Sequence, residues 1–305
     1  RGQEYKPLKT LGADYSGRVN ITSVRGKTCF IVVIDEASKF VRVIPLGTKC
    51  EVSEALDGLL REYRTAYSVS MDGKVIHFLR RDNENALKST SVNKVLQDHR
   101  VSDIPGSPYH PEHQGQVERF MYTLFDNLRS NLRQVDKRLW CYCGTYVGDC
   151  YNRVPHQYPK IPERNGETPL AILESLTGRC SSSDATKLRR FGCLVHFREE
   201  RKVPKVNSER WRRGVFLGLC PKSSTSWLVG SWIETANGGY TWKVYSSCDV
   251  KFQEHVLISN IDDLKPMSRG IFVPYDRLDA MLQTRGEPTL LQRDCGDPLG
   301  RCSAR

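Results

Sequence analysis

The sequence predicts an α/β layer domain followed by a smaller, mostly β domain, and three observations carry that prediction. Thr28-Cys29-Phe30-Ile31-Val32-Val33-Ile34 is a continuous apolar, β-branched run, the pattern of a strand buried on both faces. Between Gln116 and Val135 the residues Val117, Phe120, Met121, Leu124, Leu128, Leu132 and Val135 recur at helical spacing. Beyond the Gly- and Ser-rich stretch 177–184 the pattern changes to short runs separated by turn residues such as Asn237-Gly238-Gly239.

In chain order, residues 1–12 read as a polar lead-in. The strand at Thr28–Ile34 is followed by an alternating second strand over 39–46. Val52, Ala55, Leu59, Leu60 and Tyr63 mark a helix over 51–67. Val75–Leu79 is a short strand with Asp82 close behind it. A helix is expected over 90–99 and a last short strand over 101–104. Pro105-Gly106-Ser107-Pro108-Tyr109-His110-Pro111 is too rich in proline for regular structure. The long helix over 116–135 comes next, then helices over 139–152 and 169–176. Strands of the second domain are expected over 195–197, 214–219, 226–233 and 240–252. The predicted bounds are a lead-in over 1–12, an α/β core over 13–178, a basic β domain over 185–265 and a tail of little fixed structure over 270–305.

Charge narrows the class of partner. The 305 residues carry a net charge of +11 and a pI of about 9.1, which suggests a polyanion, most simply nucleic acid. From Lys187 to Lys222 there are eleven Lys/Arg against three Glu. Arg189, Arg190, Arg210, Arg212 and Arg213 are dense there, with Trp211 embedded among them, a composition suited to a nucleic-acid backbone. The eleven cysteines are scattered with no C-x2-C pair, as in reduced intracellular thiols. No apolar run approaches the ~18 residues of a membrane span. The chain begins at Arg1 rather than Met and reads as a segment of something longer.

Three acids are the candidate catalytic and metal-ligating groups: Asp14, Asp82 and Glu118, the last two separated by 35 residues. Two are expected on or at the end of core strands, and Glu118 lies off the apolar stripe of its helix. Carboxylates brought together repel one another and are relieved by cations. Their hard oxygens suit Mg²⁺ or Mn²⁺, and two such ions can activate an attacking oxygen and stabilise a leaving one on a phosphodiester. Structural salt bridges are the alternative. Asp35 also ends a strong strand, but its position suits holding a turn through backbone N–H groups. His110 and His113 have zinc-like spacing without the cysteines that structural zinc usually recruits. Trp140, Cys141 and Cys143 read as core. Arg119 reads as a phosphate contact or a solvated helix face, and Gln114-Gly115 as a hinge or a plain helix-entry loop.

The acid spacing, the Asp82-Asn83 pair and the run from Ser107-Pro108-Tyr109-His110-Pro111 to Gly115-Gln116-Val117-Glu118-Arg119 resemble the catalytic core of retroviral and retrotransposon integrases. Asp14-Tyr15-Ser16-Gly17 and Val33-Ile34-Asp35-Glu36-Ala37-Ser38-Lys39-Phe40 are similar to two further family segments. Trp140, Asn152-Arg153, Glu167-Thr168-Pro169, Arg190-Phe191-Gly192-Cys193 and Gly214-Val215-Phe216-Leu217-Gly218 look like later landmarks of the copia type. The resemblance covers roughly residues 10–255. It implies an RNase H-like core, a mixed sheet flanked by helices. It also implies trimming of the 3′ ends of element DNA followed by strand transfer into target DNA, and a homo-oligomer working in the nucleus. Asp14, Asp82 and Glu118 would be ligands of two Mg²⁺ or Mn²⁺ ions, not covalent nucleophiles. The chain departs from the family at Glu84, where a Gly is usual, at Ala86, where an acid is usual, and at Phe120-Met121-Tyr122. Those departures keep open a decayed or repurposed integrase that serves as a DNA-binding or assembly protein.

Overall fold

The computed structural model describes residues 6–67, 75–81, 86–105, 111–159, 161–178, 185–198 and 211–265. Its first sheet is built around β2 (Cys29–Asp35), in which every residue is buried, as the unbroken apolar run requires. β1 (Thr10–Arg18) pairs antiparallel with β2, and β2 antiparallel with β3 (Val41–Leu46). On its other side β1 runs parallel to β4 (Phe78–Arg81), which runs parallel to β5 (Ser102–Pro105). The order β3-β2-β1-β4-β5 is the mixed, helix-flanked RNase H-like arrangement.

Side-chain alternation sends the two faces of this sheet into two cores. Leu11, Ala13, Tyr15, Ile31 and Val33 pack with α1 (Val52–Tyr67) and α2 (Thr90–Asp98). Phe30, Val32 and Ile34 face α3 (Pro111–Asn131) and α4 (Trp140–Tyr151). Trp140 is core, with its indole edge-on to Phe30 at 4.7 Å and its N–H donating to the Ile21 carbonyl. Cys141 and Cys143 are buried beside it, and burial pushes both thiols upward. The short helix α5 (Pro169–Ser175) starts where Thr168 caps it through the Ala171 N–H, with Pro169 in the first turn.

Several boundaries in the first domain differ from expectation, among them the end of α3 at Asn131 rather than Val135 and the start of β3 at Val41 rather than Lys39. The lead-in is shorter, because Leu8 is fully buried and β1 already begins at Thr10. α3 begins at Pro111 rather than Gln116, since proline is tolerated in a first helical turn. The strand expected over 75–79 falls at Phe78–Arg81.

The second sheet is wholly antiparallel. Its strands are β6 (Cys193–Arg198), β7 (Trp211–Leu219), β8 (Trp227–Glu234), β9 (Tyr240–Ser247) and β10 (Val250–Leu257), in the order β10-β6-β7-β8-β9. The single run expected over 240–252 is therefore two strands. This sheet shares a hydrophobic core with α3 and α4, in which Tyr146 packs between Phe191 and Phe216. Gly192 makes the close approach possible: φ is +75°, and a Cβ there would stand 2.5 Å from the Val135 side chain. The buried Asp136 carboxylate closes the junction, accepting from Arg138 and from the Ile261 N–H. No described helix is long and apolar enough to cross a membrane. The tail expected over 270–305 lies outside the described residues.

Candidate active site

β1 supplies the first acid. Gly12 faces α3: a Cβ at that position would be 3.3 Å from Ile34 Cγ2 and 3.9 Å from Val117 Cβ. Asp14 is two residues further along the strand, on the same face, and pairs with Val32 of the α3-facing core. It is half-buried, and its carboxylate accepts the Tyr15 N–H at 2.7 Å. Glu118 follows Val117 on α3 and is exposed. Gly12, two residues before Asp14, thus abuts Val117, the residue before Glu118, across the strand–helix junction.

Asp82 lies outside the described residues, as do Glu84, Arg210 and His110 and the side chains of Gln114 and His113. The strand that leads to Asp82 is well defined. Arg81, its immediate predecessor, pairs with Ala13, the immediate predecessor of Asp14. Arg81 is itself clamped: its guanidinium bonds Asp103 at 2.7 and 3.1 Å, Asn93 at 2.7 Å and the Leu87 carbonyl. This anchor fixes the end of β4 to β5 and α2. Its partners are up to 22 residues away, so no local pattern announces it. Next to it, Arg80 and Glu36 form an enclosed ion pair at 2.8 Å. Ala86 is buried. Among the described residues, no three His, Cys, Asp or Glu side chains gather as a metal would require.

Asp35 has a different task. It is fully enclosed and accepts the Leu8 N–H at 2.9 Å, the Ser38 N–H at 2.9 Å and the Ser38 hydroxyl at 2.5 Å. Burial pushes its carboxyl up to about 6, with the Ser38 and backbone hydrogen bonds resisting. Gln114 and Gly115, expected in a hinge or helix-entry loop, fall within α3. Arg119 is exposed on the same helix, with Nε donating to the Gly115 carbonyl at 2.7 Å.

The cations of the second sheet separate into two groups. Arg189 lies 3.7 Å from the Glu254 carboxylate and over the Phe252 ring, and the Arg190 N–H donates to Glu254 at 2.8 Å. Arg212 reaches the Tyr245 hydroxyl and the Trp232 carbonyl. Trp211 and Arg213 occupy the other face of β7. There Trp211 is exposed under the Lys251 ammonium, 4.7 Å from its ring centroid. Register places Arg213 and Lys251 on either side of His196. Burial, then Arg213 and Lys251, hold the His196 imidazole below its ordinary value. Sequence reasoning missed His196 and Lys251, whose place in this patch depends on strand pairing.

No family model matches the chain. Over 164 residues, 52% of the chain, it is 29% identical to the retrovirus-related Pol polyprotein from transposon TNT 1-94 of Nicotiana tabacum. The chain spans 12% of that polyprotein's length. Similar solved structures include the catalytic core domain of BIV integrase, at 19% identity and a TM-score of 0.41, covering 56% of this chain and 97% of that one. Another is the HTLV-2 integrase catalytic core domain in complex with magnesium, at 15% identity and a TM-score of 0.40, covering 54% and 96%. Strand order, rather than these superpositions, carries the fold assignment. The resemblance read from the Asp82–Arg119 motifs is to the same kind of retrotransposon chain that the sequence match identifies.

Proposed function

We propose that the chain is the catalytic core and adjoining basic β portion of a copia-type retrotransposon integrase, which trims element DNA at its 3′ ends and joins them to target DNA. The observation that carries this reading is the junction of β1 with α3. Gly12 abuts Val117, Asp14 continues the same strand face, and Glu118 is the next residue on the helix. β4 runs beside β1 with Arg81 opposite Ala13, and the residues that follow these two in the sequence are Asp82 and Asp14.

The donor set is all carboxylate oxygen, which suits Mg²⁺ or Mn²⁺, and Asp14, Asp82 and Glu118 would hold two such ions. When bound, divalent ions supply charge neutralisation and a more acidic attacking hydroxyl. The chain's own residues do the positioning. β1 holds Asp14 and α3 holds Glu118, the Arg81 clamp anchors the end of β4 that precedes Asp82 in the sequence, and Trp211, Arg213 and Lys251 track the DNA backbone. The partners are element-end and target DNA, engaged by a homo-oligomer in the nucleus.

Tyr122 favours a second reading. It is 76% exposed one turn beyond Glu118, an apolar ring where the family favours a polar or basic residue. Phe120 and Met121, the other two departures on that turn, are buried in the core. A repurposed chain would bind DNA through the basic sheet without joining it. Two measurements decide between the readings. Calorimetry with Mn²⁺ should show binding that Asp82→Asn weakens. Joining of a labelled oligonucleotide end to a plasmid should fall about 100-fold or more in Glu118→Gln, equivalent to ~3 kcal/mol of lost transition-state stabilisation. Equal Mn²⁺ binding by wild type and Asp82→Asn, with no joining by either, would favour the second reading.

A further inference from the structure

On the flank of α3 turned away from Glu118 lies a cleft of about 420 Å³, within the ~300–1,000 Å³ typical of small-molecule sites. Gln116, Arg119 and Thr123 of α3 line it, and Glu118 is roughly 200° around the helix from Gln116. The cleft is therefore separate from the carboxylate junction. Its walls are apolar and aromatic, among them Phe120 and Tyr151, which meet edge-to-face at 4.8 Å.

The polar groups lining it are unevenly satisfied. Glu36 is the carboxylate of the lining, and it is already paired with Arg80 at 2.8 Å, both side chains only 9% exposed. Lys39 and Arg119 have no ion-pair partner among the described residues. Lys39 Nζ donates to the Gln157 carbonyl at 2.5 Å, and Arg119 Nε to the Gly115 carbonyl. Burial, and then the charge of Arg119, hold the Lys39 ammonium below its ordinary value, so the two cations repel each other. Gln116 also lines the cleft, and its side-chain oxygen is buried with no hydrogen-bond partner among the described residues, a position that favours a donor from a ligand. Lys39 also holds a left-handed backbone conformation, φ +62°, unusual for a lysine.

Two cations without an ion-pair partner among the described residues, Lys39 lying over the Tyr158 ring, line an aromatic-walled cleft with an unsatisfied acceptor, and together they match an anion carried on a flat body rich in N–H groups. We propose that this cleft binds a single nucleotide, its phosphate between Lys39 and Arg119, its base against Phe120 and Tyr151, and a base N–H on the Gln116 oxygen. The nucleotide is either free or extruded from a strand; the chemistry is the same. The site uses none of Asp14, Asp82 or Glu118, so it stands whether or not the carboxylates are catalytic.

The test is calorimetry of the full chain in EDTA, which removes divalent ions from the outcome. The ligands are a deoxynucleoside 5′-monophosphate, the matching nucleoside, inorganic phosphate and a short single-stranded oligonucleotide. Saturable binding of the monophosphate is expected, weakened about tenfold in Lys39→Asn and in Arg119→Gln. Asparagine is chosen because it tolerates the left-handed backbone. Arg129→Gln, an equal charge change at a solvent-exposed pair with Asp126, should leave binding unchanged. Binding of the oligonucleotide but not the monophosphate, lost in the same two variants, would support the extruded nucleotide as the source. Inorganic phosphate binding as tightly as the monophosphate, an equal effect of Arg129→Gln, or no binding at all would overturn the proposal. Melting curves for each variant separate lost binding from lost folding.

Discussion

The two sheets treat their charged residues alike in one respect and differently in another. In each, some charges are satisfied internally and others are left facing outward. In the first sheet the division falls between Asp35 and Asp14. Asp35 is enclosed by three donors at the end of β2, whereas Asp14 is half-buried on the open α3 face. In the second sheet the Arg189 guanidinium is engaged with Glu254 of β10, whereas Lys251 lies over the exposed Trp211 ring at the surface. The difference is one of reach. The acid of the first sheet is held by neighbours three residues away and by Leu8, while the cations of the second are held by partners on distant strands. Charge density along a chain therefore overstates the charge available to a ligand, most severely in a sheet of non-local pairs.

The most forceful way to break this contrast is to remove the enclosed acid. Asp35→Ala leaves the Leu8 and Ser38 N–H groups buried without an acceptor and is expected to cost ~3 kcal/mol of stability. The Asp35 carboxyl also makes a signed pH prediction. Its folded value of about 6 lies above the ordinary 3.8, so between those values the folded state binds the proton more tightly than the unfolded one. Stability contributed at low pH is then lost as pH rises through that window and stays lost above it. Urea titrations should show wild type losing up to ~3 kcal/mol relative to Asp35→Asn between roughly pH 4 and pH 7. Parallel pH curves for the two proteins would remove the enclosed-acid account.

A smaller effect is expected at the junction of β1 and α3. An alanine at position 12 would place its Cβ 3.3 Å from Ile34 Cγ2, a contact relieved by a shift of a few tenths of an ångström. Gly12→Ala should therefore change stability by less than about 1 kcal/mol. If the proposed active site is correct, the same shift misplaces Glu118 relative to Asp14, and joining should fall about tenfold. Loss of stability in step with activity would mean that Gly12 matters for packing alone.

Much of the first sheet was legible because its signals are local. β2 announced itself through six successive apolar residues, Cys29 to Ile34, and α3 through a stripe that continues to Leu132 and Val135. β1 was harder to place. Its buried Leu11, Ala13 and Tyr15 alternate with Gly12, Asp14 and Ser16, so small and polar residues mask the strand, and its start merged with the lead-in. The family landmarks were legible as motifs but not as tasks. Asn152, for example, is a buried clamp whose amide accepts the Val41 N–H at 2.8 Å and donates to the Val41 carbonyl at 2.9 Å. The partners of Arg81 and the place of His196 between Arg213 and Lys251 were not legible, because only strand register creates them.

The smallest expected effect tests the second sheet most directly. If Lys251 faces DNA and Arg189 is occupied by Glu254, the two cations will differ in how they enter the salt dependence of binding. Each phosphate contact contributes about 0.9 to the slope of log affinity against log salt. Lys251→Gln should reduce that slope by about 1, and Trp211→Ala should weaken binding with little change of slope, since stacking carries no counterion release. Arg189→Gln should leave the slope within error, because its guanidinium is already held by the Glu254 carboxylate, the Leu188 carbonyl and the Phe252 ring. Equal slope losses for Lys251 and Arg189 would mean that both cations reach phosphate, and that internal pairing does not decide which charges on this sheet bind DNA.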